Sequence, residues 1–172
     1  MPVTAVRKDA QSRTMTLEAE FDASPERVWQ LWADPRQLER WWGPPTYPAT
    51  VDAHDLRPGG RVEYHMTAPE GDEHRGFWEV DEVQPPHRLV FRDGFANEDG
   101  TPNDELPMTT MRVTIQDIGG GRTRMSIVSE FPSVEAMERL AAMWGLQQTV
   151  GQIDAILAED PTPKHDLQCR NL

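Results

Sequence analysis

The sequence predicts an α+β domain, a curved seven-stranded antiparallel sheet wrapped on a long C-terminal helix, with two short helices after the first strand. Three observations carry this expectation. Apolar and polar residues alternate with period two through most of the span from Thr14 to Phe131, punctuated by Gly, Pro and Asp clusters. A stretch of helical period interrupts that pattern directly after the first strand, and a longer one begins at Ser133. A bent sheet cannot cover its own concave side, so the last helix supplies the missing layer.

The first strand starts at Thr14, with Met15, Leu17, Ala19 and Phe21 on one face and Thr14, Thr16, Glu18 and Glu20 on the other. In DASPERVWQLWADPRQLERWW, Ser24 is a good N-cap and Pro25 suits the first helical position. Val28, Leu31 and Trp32 form the apolar stripe. Pro35 ends that helix, Asp34 caps a second one through Leu38 and Trp41, and Gly43-Pro44-Pro45 stops it. Turns at Pro58-Gly59-Gly60, Pro69-Glu70-Gly71-Asp72, Pro85-Pro86 and Gly119-Gly120-Gly121 then separate successive strands, which makes the sheet antiparallel. Residues 93–107, DGFANEDGTPNDELP, read as a long exposed loop, either a lid or a surface insertion.

The final helix changes phase. Val134, Met137, Ala141 and Trp144 share one face, whereas Leu146, Val150, Ile153 and Leu157 share nearly the opposite one. A straight helix cannot bury both against one sheet, so a break or kink is expected near Gly145. Residues 1–12 carry no period and are expected to be a flexible N-terminus. Residues 13–159 form the single domain, and 160–172 a flexible tail.

Bulk composition narrows the function classes. A chain of 172 residues suits one domain with its own core. Asp and Glu outnumber Lys and Arg by 29 to 17, for a net charge of -12. Such a field repels phosphate backbones, so nucleic acid is not an expected partner. No stretch approaches the roughly 18 apolar residues of a membrane span. One cysteine, Cys169, cannot make an internal disulfide, and Arg170 and Asn171 spoil the outline of a prenylation box. Cytoplasmic residence is the expectation.

Several stretches together resemble a known family. FDASPERVWQLWADPRQLERWWGP, the turn Leu56-Arg57-Pro58-Gly59-Gly60-Arg61, VDEVQPPHRLVFRDGF and DIGGGRTRMSI look, in that order, like the homologues of the activator of heat-shock protein 90 ATPase. The likeness runs from about Thr14 to Glu159. That family is part of the START-like superfamily, with the birch pollen allergen and polyketide cyclases. The resemblance implies a helix-grip fold around a cavity that in related proteins takes lipids, sterols, hormones or polyketides. It implies no shared catalytic residues, and nothing in the sequence identifies a chaperone partner.

The leading functional expectation is therefore a hydrophobic small molecule held between the sheet and the C-terminal helix. Inward positions are Tyr64, Met66, Trp78, Phe91, Met111 and Val113 from the sheet, facing Val150, Ile153 and Leu157 from the helix. Trp42 is placed at the mouth, with Trp41 in the core. Glu63, Asp93 and Glu130 read as solvated carboxylates, with Arg92 a partner for Asp93. His54, His65, His74 and His87 show no metal-ligand spacing, and His65 points outward by alternation. No nucleophile elbow or phosphate loop is present, so neither a catalytic residue nor a cofactor is assigned. An enzyme of cyclase, aromatase or hydrolase type in the same cavity, and a protein-interaction module, are the alternatives. Dimerisation through a sheet edge or the helices stays open.

Overall fold

The elements follow the order β1 (Val3–Asp9), β2 (Thr14–Phe21), α1 (Pro25–Ala33), α2 (Pro35–Trp41), β3 (Ala49–His54), β4 (Arg61–Thr67), β5 (Glu73–Gln84), β6 (Arg88–Ala96), β7 (Thr109–Gly119), β8 (Arg122–Glu130), α3 (Val134–Met143), α4 (Leu146–Gly151) and α5 (Ile153–Ala158). The computed structural model describes residues 3–143 and 146–159. All its strand pairings are antiparallel, in the order β1-β2-β8-β7-β6-β5-β4-β3. The helix-grip arrangement expected from the sequence is present.

Three details differ from the expectation. The sheet has eight strands, because Val3–Asp9 pairs along β2 from Val3↔Ala19 to Asp9↔Thr14. This edge strand is mostly exposed on both faces, so no hydrophobic alternation marks it. The second difference is at Asp93, which lies inside β6 and not in an exposed loop; the strand continues to Ala96, and Asn97–Gly100 then turns the chain. Thirdly, the C-terminal helical run is interrupted at Gln152, which separates α4 from α5. The kink expected at Gly145, the side chain of Trp144 and the tail 160–172 lie outside the described residues.

Local chemistry accounts for the helix starts. Ser24 accepts from the Arg27 amide at 3.1 Å and Asp34 from the Arg36 amide at 2.9 Å, while Ser133 accepts from the Ala136 amide at 3.0 Å. At the other end of the molecule, the Gln152 side-chain amide donates to the carbonyls of Gly43 at 2.7 Å and Trp41 at 3.3 Å. That contact ties the interruption between α4 and α5 to the end of α2.

Among the described residues the concave face buries two apolar clusters. The larger joins the sheet, α1, α2, α4 and α5, and includes Trp32, Trp41, Trp42, Trp78, Phe91, Val113, Val150 and Ile153. The smaller joins Phe131 with Ala136, Met137 and Leu140 of α3, and Met15, Phe95 and Val134 lie against it. The change of phase in the C-terminal sequence thus corresponds to two cores served by two parts of one helical run. Among the described residues, no helix is long and apolar enough to cross a membrane.

Candidate functional site

Most of the residues expected to wall the cavity are buried against one another. Trp42, Tyr64, Trp78, Phe91, Val113, Val150 and Ile153 are buried in the larger cluster, and Met66 and Leu157 pack on it partly buried. Trp78 stacks on Phe91 at 3.9 Å, and Trp42 meets Trp78 edge-on at 4.9 Å. Trp42 is wholly buried, so it stands at no mouth. Its ring also lies 6.0 Å from that of Tyr64. Met111, one of the ten expected ligand residues, borders open space.

That open space is a hollow of roughly 30 Å³, lined by Met15, Thr109, Met111, Ser129, Phe131, Leu140 and Leu146. It holds about two waters, against roughly 300–1,000 Å³ for a typical ligand pocket. Its position is informative. Met111 and Leu146 are part of the larger cluster or pack on it, whereas Met15, Phe131 and Leu140 are attached to the smaller. The hollow therefore marks the seam between the two cores.

A row of buried polar groups runs along this seam. Asp93, Thr109 and Ser129 are each less than a tenth exposed. Register explains how they meet: Asp93 pairs with Thr109, and Met111, one inward position along β7, pairs with Ser129. On the other side Asp93 pairs with Trp78. The Tyr64 hydroxyl donates to Asp93 Oδ1 at 2.7 Å. The tyrosine ring reaches that position by lying over Gly76, where a Cβ would collide with the hydroxyl oxygen.

The electrostatics follow from burial. Loss of water pushes the Asp93 carboxyl up to about 8, against a smaller downward pull from the Tyr64 hydrogen bond. Burial raises Tyr64 well above the ordinary phenol range, and the neighbouring Asp93 raises it further; the Trp42 indole N–H opposes this as a donor to Tyr64. Burial thus favours the protonated form of both the carboxyl and the phenol. The Trp78 Nε1–H is buried and meets no acceptor among the described residues.

These findings overturn the expectation that Asp93 is solvated and paired with Arg92. Arg92 instead binds Asp81 and Glu79 on the outer face. Glu63 and Glu130 do sit in partly exposed ion pairs, with Arg61 and with Arg112. His65 faces outward towards Asp52, with its Nδ1 2.8 Å from the carboxylate. Among the described residues no group of His, Cys, Asp and Glu is arranged to hold a metal ion.

With this geometry in place, comparison with known proteins is specific. Protein Ms6760 from Mycobacterium smegmatis is 48% identical, covering 91% of this chain and 97% of that one, with a TM-score of 0.83. A protein from Arthrobacter aurescens is 45% identical, covering 92% and 94%, with a TM-score of 0.86. DynU16, described as a putative protein in the dynemicin biosynthetic locus, shares the fold at 22% identity and a TM-score of 0.63; this chain spans 48% of its length. No curated protein matches. The model of the Activator of Hsp90 ATPase homolog 1-like protein family matches residues 22–158, and this chain belongs to that family.

Proposed function

We propose that the chain binds a small apolar molecule between the sheet and the C-terminal helices, at the seam between its two cores. One observation carries this reading. Among the described residues the buried apolar side chains fall into two clusters, and the hollow between them is lined by buried Thr109 and Ser129, with buried Asp93 paired to Thr109. A continuous core would place no Asp, Thr or Ser there, because buried polar groups cost free energy without partners. Binding requires the α3 cluster to withdraw from the larger one, since the hollow is an order of magnitude smaller than a ligand-sized pocket. Met15 and Met111 at the seam suit such a change, being unbranched and adaptable. The family's fold, a sheet gripping a helix, is compatible with this use.

The reading is tested by thermal denaturation and native mass spectrometry of the full chain with a panel of naphthalene-sized apolar compounds. A saturable rise in melting temperature with one-to-one adducts is the expected result. Absence of both across the panel rejects it.

A second reading, an enzyme of cyclase, aromatase or hydrolase type in the same interior, is favoured by Asp93. A buried carboxyl that keeps its proton near neutral pH is a candidate general acid. Turnover of an aromatic polyketide-like substrate that disappears in Asp93→Asn supports it. Binding without turnover rejects it.

A further inference from the structure

The hydrogen-bonding groups at the seam differ in what they lack. Register sets Asp93 between Trp78 on β5 and Thr109 on β7, and Tyr64 reaches over from β4 to donate to Asp93 Oδ1. An oxygen of the carboxyl is thereby used as an acceptor. A protonated carboxyl also has an O–H to donate. Trp78, the cross-strand neighbour of Asp93 on β5, has a buried Nε1–H that is a second donor and meets no acceptor among the described residues. Thr109 carries this row to the wall of the hollow. The surplus is of donors, and what satisfies donors is an acceptor oxygen.

Resting on the binding reading above, we propose that Asp93, Trp78 and Tyr64 form the polar end of the ligand site and select a neutral carbonyl compound. Tyr64 acts here as a positioning residue, because its hydroxyl is engaged with Asp93 and fixes the carboxyl's orientation. A ketone or quinone oxygen accepts from Asp93 and Trp78 while its hydrocarbon part occupies the seam among Met15, Met111, Leu140 and Leu146. A hydrocarbon leaves the donors unmet. A carboxylate brings a charge into an apolar interior, which desolvation opposes. The cross-strand neighbours of Asp93 are Trp78 and Thr109, and Tyr64 bonds to it; of these three only Tyr64 ionises, and it does so well above neutral pH. Burial keeps the Asp93 proton in place at neutral pH.

The test is calorimetric titration of the full chain with naphthalene, acetonaphthone and naphthoate, at about pH 7 and about pH 9.5. At neutral pH, acetonaphthone is expected to bind about tenfold more tightly than naphthalene, and naphthoate most weakly. At the higher pH the ketone loses most of that advantage in the wild type and keeps it in Asp93→Asn, whose amide still donates. A ketone no tighter than the hydrocarbon, or an advantage unchanged by pH in the wild type, overturns the proposal while leaving the binding reading intact. Failure of all three probes overturns both. The wild-type pH comparison stands alone if Asp93→Asn does not fold.

Discussion

Asp93 and Tyr64 tie the interior of the domain to pH. The folded-state carboxyl titrates at about 8, above its ordinary 3.8. Between those values the folded chain holds a proton that the unfolded chain has released, so this residue makes stability fall as pH rises through the window. Its penalty is absent below the window and complete above it. Each pH unit inside the window changes stability by at most about 1.4 kcal/mol. Urea unfolding of wild type and Asp93→Asn at several pH values isolates the effect. The wild type is expected to lose ground to the variant steadily from about pH 5 to about pH 8; parallel curves contradict a buried carboxyl. Gly76 supports the same pair by close approach, since an alanine methyl would collide with the Tyr64 hydroxyl. Gly76→Ala is expected to destabilise by about 1–3 kcal/mol and to displace the tyrosine, both visible in unfolding midpoints and near-ultraviolet dichroism. The burial of Asp93 was legible in part. Leu89, Phe91, Asp93 and Phe95 alternate, and period two alone points Asp93 inward. The Asp93-Gly94 pair reads as a turn, and that local signal hides the longer one.

Among the elements, the C-terminal run shows how far a hydrophobic pattern reaches. Its phase change separates Val134 and Met137 from Leu146, Val150, Ile153 and Leu157, and these groups serve different cores. The interruption at Gln152 carries no such signal, because its cause is a tertiary contact with the end of α2. Gln152→Ala removes the donor to the Gly43 and Trp41 carbonyls and is expected to cost about 1–2 kcal/mol. Hydrogen exchange in α5 checks it: faster exchange across Ile153–Ala158 is expected, and an unchanged rate contradicts the tethering role. At the opposite end, β1 escaped a reading by period because an exposed edge strand needs backbone partners more than buried side chains. The capped starts at Ser24, Asp34 and Ser133 were legible because each rests on one side chain and one nearby amide.

At the scale of the whole molecule, the order of strands and helices was readable from alternation and turns, and the place of the hollow was not. Sequence period places Tyr64, Trp78, Phe91 and Val113 on the concave face but does not say whether that face is filled or empty. Four tryptophans fill it: Trp32, Trp41, Trp42 and Trp78 are among the largest wholly buried side chains. Space is left instead where α3 meets the sheet on a small cluster of its own, next to Asp93 and Thr109. Ligand binding is therefore expected to disturb that boundary and to leave Trp32 and Trp41 in place. Methionine methyl resonances report on this directly, because Met15 and Met111 line the seam while Met125 lies deep in the larger cluster beneath the Trp32 indole, whose N–H is 3.3 Å from its sulfur. Titration of methyl-labelled protein with acetonaphthone is expected to move Met15 and Met111 in a saturable manner and to leave Met125 in place. Saturable binding that leaves Met15 and Met111 unmoved contradicts a site between the two cores.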